Sequence, residues 1–421
     1  MAHSPLRLNL PSRHIPPPFM STAPDSGLFM GLMSGTSLDG VDAVLVDFKG
    51  SPRTLGHAFT PFEPSIQQTL LSLNASSPNE LHHAAIASNS LASLYAHTCN
   101  ALLKRLGLPA DRIQALGAHG QTIRHQPQAH DDWGYSTQLL SAHLLAELTH
   151  IDVIHDFRAR DIFAGGQGAP LVPAFHQHYF SSDRAWRIIL NIGGMANVSI
   201  LAPLSPSNPG HPFKEEPLTA AGFDCGPGNV LMDMWCLRHT AQSYDDKGQW
   251  AQTGRVHEAL LKHFLSEPFF KLPPPKSTGR DLFNEAWLDA HVSAPHDHVS
   301  AQDVQATLCA LSAHSVLCSV DAFLKDKGLL HLQDTPIEMV TCGGGALNEA
   351  LTKEIRNRAT LFGSLKHMKL FSSDELGCPP QQVESFAFAW LARQRVLGLS
   401  ANSPNATGAK GPRILGSWVK A

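Results

Sequence analysis

The chain has 421 residues, of which 43% are hydrophobic, and this is enough for two domains with substantial cores. The net charge of -4 and the absence of a dense Lys/Arg cluster argue against nucleic acid as a partner. No apolar run approaches the roughly 20 residues of a membrane span. The seven scattered cysteines form no C-x-x-C pair, so we expect a cytoplasmic protein with no zinc site.

The first candidate site follows a leader. Residues 1–27 are rich in proline and lack an apolar core segment, which predicts a disordered leader. Phe29–Phe48 then consists of two apolar runs joined by a turn rich in glycine and serine, and predicts a β-hairpin. Such a turn suits a phosphate, and Asp39 and Asp42 are able to hold a hydrated divalent cation. Taken alone, the turn is equally typical of an ordinary hairpin, since Gly, Ser and Asp are the usual turn formers.

A second candidate site follows two predicted helices. The helices span 65–73 and Glu80–Leu106, the latter with a glycine stop after its last residue. A short strand at 113–116 then runs into a turn that contains His119 and Gln121. This arrangement places polar groups at the carboxyl end of a strand, where open α/β sheets bind their ligands.

The third candidate site is the charged segment Asp156–Leu171, which follows a predicted helix at 138–148 and a predicted strand at 151–157. It contains two carboxylates, two arginines and a Gly-Gly-Gln-Gly turn. Asp156, at the end of the strand, is placed to act as a general base, and the arginines are able to hold anions. The alternative is a solvated loop with Asp–Arg pairing.

The middle of the chain repeats the opening pattern. Strand, glycine turn and strand recur at 187–201, which indicates a duplicated architecture with two facing phosphate hairpins. The Pro-rich segment 202–219 predicts a surface insertion. Gly222–Asn229 predicts a Gly/Asp turn before a helix that opens at Val230. The basic loop Lys276–Asp281 is able to meet a phosphate, or is plain surface.

The C-terminal third contains a further glycine-rich turn. A strand at Ile337–Cys342 is followed by Gly343–Gly345 and a helix at 346–356. The glycines would let an adenosine lie against the backbone, and a helix N-terminus favours negative charge. A final helix at 381–396 carries Glu384 near its start.

Taken together, these segments resemble the anhydro-N-acetylmuramic acid kinases, a branch of the sugar kinase/Hsp70/actin superfamily. They follow the family order over nearly the whole chain, and the leader, the 202–219 insertion and Cys225 depart from the family pattern. The matching segments are Gly31–Asp42, Gly117–Thr122, Asp156–Arg158 with Gly165–Pro170, Asn191–Gly194, Gly226–Asn229, Lys276–Arg280 and Cys342–Gly345.

The resemblance implies an α/β fold with two ribonuclease-H-like domains of actin/hexokinase type that flank a central cleft. We expect these domains at 28–150 and 151–416, with the final helix able to pack back on the first. The implied reaction uses ATP and Mg²⁺ to open 1,6-anhydro-N-acetylmuramic acid with water and to phosphorylate its 6-oxygen. The products would be N-acetylmuramic acid 6-phosphate and ADP, formed during peptidoglycan recycling by a homodimer.

The resemblance also assigns roles to residues. Asp156 is the expected catalytic base, and the expected sugar contacts are His119, Gln121, Arg158 and Glu384. Asp39 is the expected metal ligand. The expected nucleotide-binding residues are Gly35, Thr36, Ser37, Leu38, Asp39, Gly40, Val41, Asp42, Gly193, Gly194, Gly226, Gly228, Gly343, Gly344 and Gly345.

Two alternatives have the same fold. A levoglucosan kinase would use the same chemistry without a lactyl or acetamido group to bind. A non-catalytic ATP-binding regulator is disfavoured by Asp156, because nucleotide binding alone would not require a carboxylate at the sugar end of the cleft.

Overall fold

The computed structural model describes residues 27–35, 37–127, 133–204, 220–274, 276–293, 298–328 and 335–421. Thr36, nearly all of the expected leader and most of the expected 202–219 insertion lie outside these residues.

The described residues form strands and helices in alternation. The strands are β1 (Leu28–Met33), β2 (Gly40–Asp47), β3 (Arg53–Pro61), β4 (Ala115–Ala118), β5 (Gln121–Gln126), β6 (Tyr135–Leu139), β7 (Val153–His155), β8 (Trp186–Ile192), β9 (Met195–Leu201), β10 (Ala220–Pro227), β11 (Ile337–Cys342), β12 (Lys369–Ser372) and β13 (Ser417–Val419). The α-helices are α1 (Pro64–Ser72), α2 (Glu80–Leu106), α3 (Ala142–Thr149), α4 (Ala159–Ile162), α5 (Val172–Phe180), α6 (Val230–Thr240), α7 (Glu258–Phe264), α8 (Pro268–Lys271), α9 (Glu285–Val292), α10 (Ala301–Asp326), α11 (Glu349–Ala359), α12 (Val383–Val396) and α13 (Pro404–Thr407).

The first sheet has the strand order β13-β7-β4-β1-β2-β3. Strands β1, β2 and β3 are antiparallel neighbours, and the predicted first hairpin is confirmed by the pairing of Met30 with Leu45. Strand β4 lies parallel to β1, and β7 lies parallel to β4. Because β7 and β13 join this sheet, it extends beyond the boundary expected at residue 150.

The second sheet repeats this plan with the order β10-β9-β8-β11-β12. Here β8, β9 and β10 are the antiparallel neighbours, and β11 and then β12 follow in parallel on the other side of β8. In both sheets an antiparallel meander of three strands continues into parallel strands beside the first of them. The prediction of two ribonuclease-H-like α/β domains is therefore confirmed, and so is the duplicated hairpin.

Helix α12 lies on the first sheet and contacts it without intervening side chains at two glycines. A Cβ atom at Gly31 would lie 1.7 Å from the carbonyl oxygen of Ser385, and one at Gly117 would lie 2.0 Å from that of Phe388. The apolar face of the helix, including Phe386, joins one buried cluster with residues of both sheets. This close packing brings Glu384, at the start of the helix, to the edge of the first domain.

Two local predictions are wrong. The segment 138–148 was predicted as a helix throughout, but β6 occupies its start and α3 begins at Ala142. Gly222–Asn229 was predicted as a turn, but Ala220–Pro227 is strand β10, which pairs with β9 through a register shift between Asp224 and Gly226. The glycines of this segment suggested a loop, but in the structure they allow the register shift and close contacts with the backbone.

By length and composition, helix α10 is apolar enough to cross a membrane, although no apolar run of that length was expected from the sequence. In the structure it is a core helix, because 83% of its most apolar stretch is buried inside the protein. Its buried residues, among them Leu311 and Leu317, belong to the core of the second domain.

Candidate active site

The carboxyl ends of the parallel strands carry the polar segments that the sequence singled out. Ser34, Gly35 and Asp39 follow β1, His119 follows β4, and Asp156 follows β7. In the second domain, Gly193 and Gly194 follow β8, and Gly343 follows β11. Because α/β sheets bind ligands beyond the carboxyl ends of their strands, both domains present their candidate residues to the same kind of edge.

A buried chain of hydrogen bonds connects Ser34, His119 and Arg158. Nδ1 of His119 lies 3.2 Å from the carbonyl oxygen of Ser34, and Nε2 of His119 lies 2.8 Å from Nη2 of Arg158. The Ser34 hydroxyl lies 2.8 Å from the hydroxyl of Tyr95 and donates to the carbonyl of Gly120 at 3.2 Å. The chain joins the ends of β1 and β4 to the loop after β7, so it fixes these three segments relative to one another.

The His119 ring is held neutral. Burial and, to a smaller extent, the positive charge of Arg158 lower its pKa to about 3. A guanidinium has no acceptor, so Arg158 donates and Nε2 of His119 accepts. The proton of the neutral ring is therefore on Nδ1, which donates to Ser34.

The Arg158 guanidinium also donates from Nη1 to the carbonyl of Gly168 at 2.7 Å. Burial lowers the pKa of Arg158 to about 10, and the carboxylates of Glu384 and Asp161 oppose this shift. Arg158 therefore remains a cation at neutral pH, balanced by two nearby carboxylates.

Glu384 connects the two domains. Its Oε1 accepts a hydrogen bond of 3.3 Å from Nδ2 of Asn191, the residue before the last of β8. Burial raises the pKa of Glu384, the negative charge of Asp42 adds to the rise, and Arg158 and Asn191 oppose it. Asp42 is itself paired with His57, at 2.7 Å between Oδ1 and Nε2.

Asp156 lies at the sharp turn between β7 and α4. Its φ is +52°, in the left-handed region that non-glycine residues rarely adopt. Burial raises the pKa of this half-buried carboxyl group, while His155 and a hydrogen bond from the Ala159 backbone oppose the shift. Asp156 is thus a carboxylate with a raised pKa, two residues before the Arg158 cation. These are the properties of a general base.

Gln121 is buried, with 1% of its surface exposed, and presents an unused acceptor. Its amide Nε2 donates to the carbonyl of Gly35 at 3.1 Å, whereas its Oε1 has no hydrogen-bond partner in the described part of the chain. An unpaired buried acceptor costs free energy, about 1–3 kcal/mol, unless something fills its place. A hydroxyl group of a bound ligand would do so.

The predicted nucleotide-binding glycines fall into two groups. In the first group, packing within the protein already explains why the residue is glycine. A Cβ at Gly228 would lie 2.3 Å from the carbonyl oxygen of Gly193, and a Cβ at Gly345 would lie 2.3 Å from Cγ2 of Ile192. The members of this group are Gly40, Gly226, Gly228, Gly343 and Gly345.

The second group consists of Gly35, Gly193, Gly194 and Gly344, at each of which an added Cβ would meet no atom closer than 3.6 Å. A Cβ at Gly344 would have no atom within 4 Å, and the nearest atoms at Gly193 and Gly194 would be 3.7 Å and 3.8 Å away. Leu38 and Val41 differ from both groups, because their side chains are buried in the first-domain core. Any contact of these two residues with a nucleotide would come from the backbone.

Two charged residues beside the second hairpin were not assigned by the sequence analysis. Arg280 Nη2 lies 3.8 Å from the Cβ position of Gly194. Burial and the nearby Asp39 raise the pKa of Asp233 to about 7, against the opposing effect of Arg280. The structure thus brings Asp39 of the first hairpin close to Asp233 and Arg280 of the second domain.

The Lys276–Arg280 loop owes its position to Asp224 on β10. Oδ2 of Asp224 accepts hydrogen bonds from the Thr278 backbone at 3.0 Å and from the Ser277 hydroxyl at 2.8 Å. In the sequence, Arg280 could be recognised as a candidate phosphate contact because it belongs to the basic loop Lys276–Asp281. Asp233 lies within helix α6, where an acidic residue has no distinguishing pattern.

Two ribonuclease-H-like domains, each with a glycine hairpin in its sheet, give this chain the two-domain α/β fold that sugar kinases have. The family model described as "Anhydro-N-acetylmuramic acid kinase" matches residues 27–421, and the chain belongs to this family.

Curated relatives support the assignment over the full length. A protein from Ralstonia nicotianae, named anhydro-N-acetylmuramic acid kinase, is 48% identical over 390 residues, which cover 92% of this chain and 96% of that protein. A protein of the same name from Albidiferax ferrireducens is 46% identical over 400 residues, which cover 93% of this chain and 99% of that protein.

Proposed function

We propose that this kinase hydrolytically opens 1,6-anhydro-N-acetylmuramic acid and transfers the γ-phosphoryl group of ATP to its 6-oxygen. The products are N-acetylmuramic acid 6-phosphate and ADP, and the reaction belongs to cytoplasmic recycling of peptidoglycan. The observation that carries the proposal is the position of Asp156. It follows the last parallel strand of the first domain and lies two residues before Arg158, in a chain that matches the family model over 27–421.

The chemistry of the substrate explains why a base is needed. An ether bridge joins C1 to the 6-oxygen, so the sugar has no free hydroxyl group at C6 for the phosphoryl group. A water molecule adds its oxygen to C1 and gives a proton to Asp156, while the bond between C1 and the 6-oxygen breaks. The 6-oxygen then takes the γ-phosphoryl group, and ADP leaves.

Asp156 suits this role because burial raises its pKa while the carboxyl group keeps partial contact with solvent. A base works best when its pKa approaches the working pH, and a positioned base contributes about 10²–10⁴-fold to the rate. The strained backbone at Asp156 is typical of a residue whose position is fixed by function.

The sugar would lie against the groups that end the first sheet. The free Oε1 of Gln121 would accept a hydrogen bond from a sugar hydroxyl group. His119 and Arg158 would form a rigid wall, since hydrogen bonds hold both ring nitrogens of His119 and both terminal nitrogens of Arg158. Glu384, on helix α12 of the first domain, would close the site toward the second domain, where Asn191 holds its carboxylate.

ATP would lie against the open faces of Gly193, Gly194 and Gly344, where a phosphate or ribose is able to approach the backbone. Arg280 would supply positive charge beside the second hairpin. Exposed Asp39 would hold Mg²⁺ through water, because Asp42 is already paired with His57. Bound Mg²⁺ neutralises charge that develops on the phosphates during transfer.

The test is to incubate the protein with Mg-ATP and one of three sugars, and to measure ADP release and product mass. We expect turnover with 1,6-anhydro-N-acetylmuramic acid, and ¹⁸O from labelled water at C1 of the product. Equal turnover of levoglucosan, or of ordinary N-acetylmuramic acid, would overturn the substrate assignment. If none of the three sugars led to ADP release, a non-catalytic ATP-binding protein would be favoured.

The enzyme is further proposed to act as a homodimer, which is what the family resemblance implies. Light scattering coupled to size exclusion, carried out over a range of protein concentrations, measures the mass directly. A mass that stays at that of one chain would contradict this part of the proposal.

A further inference from the structure

Asp161 is the second aspartate of the charged segment Asp156–Leu171, which we call the catalytic loop. Its side chain is fully buried, and both of its carboxylate oxygens accept hydrogen bonds. Its Oδ2 accepts the backbone N–H of Gly168 at 2.8 Å. Its Oδ1 accepts Nδ2 of Asn402 at 2.7 Å and the hydroxyl of Thr407 at 2.9 Å. With 0% of its surface exposed, Asp161 has no access to a substrate or to an attacking water.

The partners of Oδ1 belong to a C-terminal clasp, which we define as residues 402–411. Besides the two side-chain contacts, the backbone N–H of Gln167 donates to the carbonyl of Thr407 at 2.8 Å. The backbone N–H of Lys410 donates to the carbonyl of Ala164 at 2.8 Å. The clasp therefore holds the 164–168 turn of the catalytic loop by backbone as well as by side chains.

The connection continues from Asp161 to Arg158 through one residue. Gly168 gives its N–H to Asp161, and its carbonyl oxygen accepts from Nη1 of Arg158 at 2.7 Å. Gly168 has a φ of +67°, and a Cβ there would lie 2.7 Å from Ile162. Arg158 in turn donates to His119 at 2.8 Å. A change at Asp161 would therefore be passed to the groups that line the sugar site.

Charge supports the same connection. Within the described residues, Asp161 has no Lys or Arg partner at ion-pair distance, although its carboxylate is buried. Its negative charge instead helps to keep the nearby Arg158 protonated. Neutral donors from the loop and the clasp provide the hydrogen bonds that a buried carboxylate requires.

We propose that Asp161 is a positioning residue, through which the C-terminal clasp sets the orientation of Arg158 for sugar binding. The inference rests on the proposed function, because it takes the Arg158 region as the sugar site. It also removes Asp161 from the candidates for the catalytic base, a role that charge and sequence position alone would allow.

The test uses Thr407→Val, which removes one hydrogen bond to Asp161 and keeps the shape of the side chain. Thr149→Val is the matched control, since Thr149 is equally buried at 2% exposure and bonds to Leu145 of its own helix. We expect Thr407→Val to raise KM for the anhydrosugar at least about tenfold, the scale of one hydrogen bond to a charged group. KM for ATP should stay unchanged, and Thr407→Ser should restore the wild-type values.

Coupling to Arg158 separates positioning from general loss of structure. If Asp161 acts through Arg158, then Asp161→Asn added to Arg158→Lys should reduce kcat/KM for the sugar little beyond Arg158→Lys alone. Multiplicative losses, or a Thr407→Val variant that changes sugar KM no more than Thr149→Val does, would overturn the proposal.

A readout without catalysis separates this inference from the proposed function. The ¹⁵N shift of Nε2 in His119 reports the hydrogen bond from Arg158. We expect this shift to change in Thr407→Val and to stay constant in Thr149→Val. An unchanged shift in both variants would overturn the positioning role, whereas failure of the wild type to release ADP would overturn the proposed function alone.

Discussion

Nη2 of Arg158 lies 2.8 Å from Nε2 of His119, so a partly buried cation donates to a buried imidazole. The contact requires the His119 ring to be neutral with its proton on Nδ1, where the Ser34 carbonyl accepts it at 3.2 Å. One ring thereby links the turn after β1 with the loop that carries Asp156. Its protonation state is a structural requirement of the site.

We predict that His119 does not titrate in the range where ordinary histidines do. Burial and Arg158 lower its pKa to about 3, so the ring should remain neutral between pH 5 and 8. Protonation would place a positive charge against the guanidinium. NMR of ¹⁵N-labelled histidine checks this, with a His119→Gln variant to assign the signal; a pKa near 6.5 would contradict the hydrogen-bond assignment.

Replacing Asp156 by Asn should lower the rate of sugar opening and phosphorylation by about 10²-fold or more, because the variant keeps the shape and loses the basic oxygen. Calorimetry should show that ATP and the sugar still bind. Near-normal turnover would make Glu384 the candidate base.

The pH profile gives a second check on Asp156. A base must be deprotonated to act, so activity should fall as the pH drops through the raised pKa of this carboxyl group. The acid limb should therefore lie above the usual range for aspartate. It should disappear from the residual activity of Asp156→Asn, and a limb that persists unchanged would assign it to another group.

Asp39→Ala should shift the Mg²⁺ dependence of the rate to higher concentrations and leave binding of the sugar unchanged. Asp39 is exposed in the first hairpin and lies close to Asp233, whereas Asp42 is engaged with His57 at 2.7 Å. His57→Ala serves as the comparison, because it frees Asp42 without removing a carboxylate. If Asp39→Ala shows the wild-type Mg²⁺ dependence, Asp233 becomes the next candidate ligand.

Gly31→Ala should lower the free energy of unfolding by about 2 kcal/mol or more, because its Cβ would lie 1.7 Å from the carbonyl of Ser385. Helix α12 has to move away from the first sheet to relieve this contact, so the sugar KM should rise through the displacement of Glu384. Gly363→Ala is the control, with no atom within 4 Å of its Cβ, and should change stability by less than about 0.5 kcal/mol. Urea unfolding of both variants measures the difference.

The sequence predicted the hairpins and the glycine turn after β11 because each is encoded locally, by apolar runs beside turn residues. It did not predict β10, because the glycines there serve contacts with other segments, such as those of Gly222 with Pro173 and of Gly226 with Phe270. Asp156 and Asp161 have similar neighbours in the sequence, and the fold alone separates a half-buried carboxylate from one enclosed by Asn402 and Thr407. Asp233 gained its neighbour Asp39 only through the meeting of the two domains, whereas Arg280 comes from a distant segment of its own domain.

Strand β13 pairs with β7, and helix α12 lies on β1 and β4, so that the first domain is completed by residues beyond the second. During synthesis, β1 leaves the ribosome long before α12 and β13 exist, and its glycines have nothing to pack against until they do. We therefore expect the first domain to remain incompletely folded while the second one forms, and to complete its fold when the later segments pack onto it. The residues at the carboxyl ends of the first sheet would then reach their final positions only after α12 and β13 have been synthesised.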